Sequence, residues 1–274
     1  MLAALRIDAA YVSNSAFLPA YGRGPGAEGR VFDSELTLIN PGASPVAVRL
    51  MFLRAGQPNP RPFESRLVLG AMETRIVPSA TAAMTGEESA SGALRIEAAA
   101  PVIAHARLYS LAQGAGLAQS VASSFNAIPS QFAAGIGETA YVPGFVEAPG
   151  FRSRVFMVET TGTPLVFIAS LLDPSGSVLA RKREYLGGFE QRSFDPAAEF
   201  PDVHGQAVLR LQGLSGNGRV IAGAVRIANG TQDGTAYEMS FETAPRWRIP
   251  SGEIAAYIVA GLAIVGAVAY RRLR

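Results

Sequence analysis

The sequence predicts an all-β chain: two tandem antiparallel β-sandwich (Ig-like) domains from an internal duplication, plus a C-terminal transmembrane helix. Three observations carry this expectation. Short alternating segments are separated by turn residues. A series of matches recurs about 118 residues apart. Seventeen uncharged residues, 254–270, precede a terminal RRLR. The expected division is a first sandwich over 1–130, a linker over 131–137, a second sandwich over 138–243, a linker over 244–252, a membrane helix over 253–270 and a basic tail over 271–274.

In the first copy, Glu35–Asn40 alternates and stops at Pro41-Gly42, a turn signal. Val46–Phe52 follows and is ended by Gly56 and Pro58; Ser65–Val68 is stopped by Gly70. Glu73–Val77, Gly92–Glu97 and Val102–Ser110 continue the series. The second copy reads Arg154–Glu159, Leu165–Asp173, Ser177–Tyr185, Gln206–Leu211, Arg219–Ile227 and Ala236–Phe241 in the same order. That spacing suits a sandwich of roughly seven strands per copy. Short helical hints at Ala80–Met84 and Ala197–Phe200 each follow a Leu-Gly…Glu-x-Arg strand.

The duplication rests on matches that keep their order. Leu69–Arg75 answers Leu186–Arg192, Val102–Ala106 answers Val220–Ala224, and Ala93–Ile96 answers Val208–Leu211. Phe32, Leu36, Leu38 and Pro45 match Phe151, Val155, Met157 and Pro164 at an offset of 119. Ala10-Tyr11-Val12 and Ala140-Tyr141-Val142 open the two copies. Glu73 with Arg75, and Glu190 with Arg192, stand two apart on a strand, so each pair shares a face and is expected as an ion pair.

The apolar run starts at Ile254, carries Tyr257 and Tyr270 near its ends and is followed by Arg271, Arg272 and Arg274. As a helix at ~1.5 Å per residue it reaches about 25 Å, close to the roughly 30 Å of a hydrocarbon core. The tyrosines suit the headgroup layer and the arginines make a basic stop. Arg246 and Arg248 precede the run and are offset by Glu253, so the bias favours an outward-facing body with a cytoplasmic tail. The opening MLAALRIDAA is too short for a secretory signal. Outward delivery therefore implies an upstream start; a tail-anchored cytoplasmic body is the alternative.

Net charge is +2 and three positive charges belong to the tail, which leaves a near-neutral body and argues against a nucleic-acid partner. With no cysteine there is no disulfide, thiolate nucleophile or cysteine-ligated zinc. His105 falls in a strand and His204 in a turn of the other copy, so no histidine-based metal centre is expected. No Gly-x-Ser-x-Gly elbow accompanies them. Asp195 with Glu199, and Glu87 with Glu88, read as charges flanking the short helices rather than a catalytic pair. Gly22–Gly26 lacks the context of a phosphate loop. Asn229-Gly230-Thr231 reads as a hairpin turn ahead of a glycosylation sequon. No catalytic residue, metal or cofactor is expected.

The Asn40-Pro41-Gly42 turn, the Leu-Gly…Glu-x-Arg strand and Gly92–Ile96 together resemble tandem β-sandwich repeats of exported bacterial proteins of unknown role. That resemblance covers nearly the whole body, implies an envelope or surface location and supplies no catalytic residues. The end is similar to exosortase-type sorting tails, with Ile249–Glu253 standing where a Pro-Glu-Pro core would be. Because that motif departs, a plain anchor is the expectation.

The segment 13–29 is longer than its counterpart Pro143–Gly150 and is expected as a loop carrying Phe17, Tyr21, Arg23 and Arg30 as ligand-binding candidates. The resulting expectation is a membrane-anchored, extracytoplasmic, non-catalytic structural or interaction protein of the bacterial envelope. Its partners would be the lipid bilayer and an envelope protein or polysaccharide. A carbohydrate-binding module using loop 13–29, or a subunit of a larger envelope assembly, is the alternative.

Removing residues 253–274 is expected to move the protein from the membrane to the soluble fraction with its β-sheet circular dichroism intact. Aggregation of the truncated chain would place the apolar run in a core instead.

Overall fold

The computed structural model describes residues 12–26, 29–147 and 150–241, all within the compact unit Met1–Glu242. The chain passes through β1 (Val12–Pro25), β2 (Val31–Ile39), β3 (Val46–Arg54), β4 (Phe63–Leu69), β5 (Thr74–Pro78), α1 (Ala80–Thr85), β6 (Ala90–Leu111), β7 (Val121–Asn126) and β8 (Ile128–Pro129). It continues through β9 (Thr139–Glu147), β10 (Phe151–Glu159), β11 (Leu165–Leu172), β12 (Val178–Leu186), β13 (Gln191–Phe194), α2 (Pro196–Glu199), β14 (Gly205–Gly216), β15 (Val220–Ala228), β16 (Gly234–Glu238) and β17 (Ser240–Phe241). The fold is all-β and sandwich-like. The membrane anchor expected at Ile254, Tyr257, Tyr270, Arg271, Arg272 and Arg274 lies outside the described residues. Among the described residues no helix is long and apolar enough to cross a membrane.

Strands dominate because the apolar residues alternate. Leu36 and Leu38 of β2 are buried, and Glu35 and Thr37, alternating with them, lie on the other face. Ala207, Leu209 and Leu211 of β14 repeat the pattern. The same order of pairing appears twice. In the first part, β4-β3-β6-β1 runs one way, while β5 and β7 flank β2 and the C-terminal end of β6. In the second part these become β12-β11-β14-β9 and β13-β10-β15-β16. Register agrees as well: Leu38 faces Ala104 and Arg75, as Met157 faces Ala222 and Arg192.

The segments expected as Gly92–Glu97 and Val102–Ser110 are one strand, β6, because Ala98-Ala99-Ala100-Pro101 stays extended between them. The second part breaks at this place into β14 and β15. Gly216 sits there at φ 94°, and a Cβ on it would lie 2.2 Å from the Pro164 carbonyl oxygen.

Residues 13–29 are a further correction. Most of this expected loop is strand β1, paired along β6 from Val12 to Arg23. Its glycines admit close backbone approach rather than flexibility: a Cβ on Gly22 would lie 2.5 Å from the Ala90 carbonyl oxygen. Residues 131–137, expected as a linker with few core contacts, also pack. Ala133 and Ala134 are buried, and Ala134 forms a bridge with Val220.

Buried polar side chains hold the turns. Asn40, fully buried after β2, donates from Nδ2 to the carbonyls of Ser44 and Gly70 and accepts from the Gly42 N–H. Glu159 occupies the equivalent place after β10 and is also fully buried. Its Oε1 accepts from the Thr161 N–H at 2.8 Å, the Thr161 hydroxyl at 2.6 Å and the Arg219 N–H at 3.1 Å. Its Oε2 accepts from the N–H groups of Gly162 at 2.8 Å and Phe189 at 2.9 Å. Burying a carboxylate is tolerable only when its lone pairs are filled in this way.

The two parts meet along one seam. Gly56 N–H donates to Gln191 O at 2.8 Å and Asn59 N–H to Gly188 O at 3.1 Å. Asn59 Nδ2 donates to Phe189 O at 2.9 Å, and the Arg95 guanidinium lies 4.6 Å from the centre of the Phe189 ring. Phe17, Leu53 and Ala93 of the first part join a core otherwise built from residues 128–239.

Glu159→Ala should strip the acceptor from four backbone N–H groups, each worth about 1–3 kcal/mol when left unpaired. A loss of at least about 3 kcal/mol is expected, read as a Tm drop of roughly 6–12 °C in a chain of this size. A drop under about 2 °C would show that the turn holds itself.

Candidate functional site

A cavity of about 530 Å³ opens on the seam between the two parts, within the size range of small-ligand sites. One wall comes from β1, β6, β7 and the start of β2, which bring Tyr21, Phe32, Tyr109 and Ser110, with Arg30 just ahead of β2. The other wall is the face of β10, β13 and β15 turned toward the first part. It supplies Arg152, Arg154, Phe156, Gln191 and Ser193, and Asp195 at the start of α2. Residues two apart on a strand share a face, which places Arg152, Arg154 and Phe156 together, and Gln191, Ser193 and Asp195 together on the adjacent strand.

The charge is unbalanced. Among the described lining residues, three arginines stand against one carboxylate, Asp195, whose Oδ1 accepts from the Ala197 N–H as the cap of α2. Arg30 donates from Nε to the Ser110 hydroxyl at 2.7 Å and from Nη2 to the Ser110 carbonyl at 2.9 Å. Arg152 donates to Asn229 Oδ1 at 2.8 Å and Gln232 Oε1 at 2.6 Å. Those are neutral acceptors, so the charge of Arg152 stays uncompensated by them. Arg154 is exposed and has no ion-pair partner among the described residues.

Three residues of the lining, Gln191, Tyr21 and Ser153, each carry a buried polar atom with no hydrogen-bond partner, in Ser153 the hydroxyl. Gln191 is 2% exposed; its Nε2 donates to the Pro19 carbonyl at 3.2 Å while its Oε1 is unpaired. Tyr21 is 3% exposed and its hydroxyl is unpaired. Burial pushes the Tyr21 phenol well above its ordinary range, with Asp33 adding to the effect, so it remains protonated. Burial likewise raises the Tyr109 phenol.

Of the four candidates expected on or beside 13–29, two reach this cavity. Tyr21 and Arg30 line it. Phe17 is wholly buried in the core, and Arg23 pairs with Asp33 at 3.4 Å away from the lining. The remaining residues weighed for chemistry are not brought together. His105 is half-buried within β6 and His204 is exposed ahead of β14. Glu87 pairs with Arg54, and Glu199 with Lys182 at 2.5 Å. No cluster of three metal-ligating side chains occurs among the described residues. Glu73 pairs with Arg75 at 2.6 Å and Glu190 with Arg192 at 2.8 Å, and each glutamate also accepts from the glycine N–H three residues earlier.

Sequence reasoning missed Arg152, Arg154, Gln191 and Ser193. A signal was present: at the offset of 119, Arg152 and Arg154 stand where the first copy has Asp33 and Glu35. A charge reversal between otherwise matched strands marks a face put to a different use.

No family model and no curated protein matches the chain. Among solved structures, "Crystal Structure of Thermotoga maritima 1070" is similar over 43% of this chain and 95% of its own, at 13% identity and a TM-score of 0.34. A lectin from Pleurotus ostreatus, solved in complex with GalNAc, aligns over 86% of both chains at 11% identity and a TM-score of 0.14. Likenesses this slight carry no inference about fold or function.

Tyr21→Phe removes a hydroxyl that bonds to nothing, so stability at pH 7 should change by under about 1 kcal/mol. In alkali the sign is defined. The unfolded phenol ionises near pH 10. The folded phenol resists, so stability falls as pH rises past that value. The variant should therefore unfold at a higher pH than the parent, followed by circular dichroism. An unchanged alkaline midpoint would assign the effect to other groups.

Proposed function

We propose that this protein is a non-catalytic binding module of the bacterial envelope, built from two tandem Ig-like sandwich repeats that arose by duplication. In this reading residues 253–270 hold it to the membrane with the body outside, and the ligand sits in the cavity on the seam between the repeats. The observation that carries the binding reading is the cavity wall itself: three buried, unpartnered polar groups, Gln191 Oε1 and the hydroxyls of Tyr21 and Ser153, beside three arginines. Unpaired groups of this kind cost stability, and a ligand that pairs them offsets the loss. The repeated order of strand pairing supports the duplication, and the uncharged run with its terminal arginines supports the anchor.

The test uses the full chain in detergent, incubated with a bacterial envelope extract and washed. Small molecules and glycans retained on it are then identified by mass spectrometry. Ser193→Trp, which fills the cavity from the half-buried β13 edge, should abolish retention. Equal retention by parent and variant would remove the cavity from contention, and a retained compound found chemically converted would overturn the non-catalytic reading.

A further inference from the structure

We infer that the seam cavity takes an anionic sugar, a hydroxyl-bearing ring with one carboxylate or phosphate. The inference rests on the binding reading above and adds the chemistry of the ligand. Three properties of the wall select it.

The first is charge. Arg30, Arg152 and Arg154 face the cavity against Asp195 alone. The bonds that Arg30 and Arg152 make go to neutral oxygens, which orient the guanidinium groups without neutralising them. A guanidinium held in this way suits the planar fork of a carboxylate or phosphate. The same field disfavours an ammonium group, and with it amino acids and amines.

The second property is the kind of polar atom left over. Gln191 Oε1 is an acceptor and its own Nε2 is already committed to Pro19, so the amide is oriented and the oxygen needs a donor. A bare anion offers only acceptors, and a hydroxyl supplies the donor. The Tyr21 hydroxyl, kept protonated by burial, has one proton to give and lone pairs to fill. Neutral hydroxyl donors together with a negative group describe a sugar acid or a sugar phosphate.

The third is the apolar part of the wall. Tyr21, Phe32, Tyr109 and Phe156 all line the cavity, giving aromatic surface for the C–H face of a ring between the polar contacts. The volume of about 530 Å³ suits one or two sugar rings.

Calorimetric titration of the full chain in detergent would use glucuronate, galacturonate, mannuronate and glucose 6-phosphate, with glucose and acetate as controls. At least one anionic sugar should bind and be at least 10-fold tighter than glucose or acetate. A preference among the uronates over the phosphate, or the reverse, identifies the anionic group. Affinity should fall at least 10-fold in Arg154→Ala, recover in part in Arg154→Lys, and weaken in Gln191→Leu. Arg66→Ala, remote from the cavity on β4, should leave it unchanged, with thermal melting confirming that every variant is folded. Glucose binding as tightly as the anionic sugars would overturn the charge argument. Failure of all four anionic sugars would overturn the inference. If the envelope extract still delivers a cavity-dependent ligand, the binding reading stands without it; if nothing is retained there either, that reading falls too.

Discussion

The buried carboxylate of Glu159 is the constraint on which the seam depends. Five donors from four residues converge on its two oxygens, and they belong to three separate segments: the turn after β10, the turn before β13 and the start of β15. A charge with no exposure must be met by fixed dipoles, so those segments cannot move independently. One of the donors is the N–H of Phe189, a non-glycine residue held at φ 54°. Such a conformation persists only where the surroundings over-determine it. With its backbone fixed, Phe189 presents its carbonyl to Asn59 and its ring to Arg95, and β13 begins at the position where Gln191 meets Pro19. A carboxylate inside one repeat thus sets the geometry of contact between the two.

The paired repeats show what is general in this turn and what is particular to the seam. Met72, the counterpart of Phe189, is also left-handed at φ 55°, so the turn geometry does not itself require an aromatic residue. Met72 is 71% exposed, whereas Phe189 is packed against the core and Arg95. Asn40 does the work of Glu159 with fewer bonds and no charge. The second repeat has a docking task on this turn and carries the stronger anchor for it. The same asymmetry reaches the cavity wall, where Arg152 and Arg154 replace Asp33 and Glu35. In the first repeat the acid is absorbed into the structure: Asp33 is 5% exposed, accepts from Ser79 and the Ser34 N–H, and pairs with Arg23.

Strand order was legible in the sequence because alternation and turn residues are local signals. Leu36 and Leu38 could be assigned a buried face, and Glu73 with Arg75 a shared one, from spacing alone. Strand β1 was not legible for a physical reason. Residues 16–22 are buried on both faces, Phe17 in the core it shares with the second repeat and Leu18 in the first, so the polar half of the alternation is missing. Its glycines then mimic a loop. The cavity was half visible. Tyr21 and Arg30 stood out by residue type, but Gln191 and Ser193 lie on a strand whose sequence serves the Glu-x-Arg motif equally well. Only the docking of one repeat on the other, set by Asn59 and Phe189 at 130 residues' separation, brings the two walls together.

The unpartnered groups on the cavity lining bear on the proposed binding role. An acceptor such as Gln191 Oε1, 2% exposed and unpaired, is costly, whereas an apolar residue of similar size would close the seam without that cost. Of the six such atoms among the described residues, three belong to residues of this lining, Tyr21, Ser153 and Gln191, and three lie elsewhere, on Thr81, Arg95 and Arg210. In the proposed binding role, polarity left unsatisfied on this lining, beside arginines whose neighbours orient but do not neutralise them, supplies groups that are already fixed and incompletely paired before the ligand arrives. The anchoring that Glu159 supplies holds the shape of the seam around the cavity.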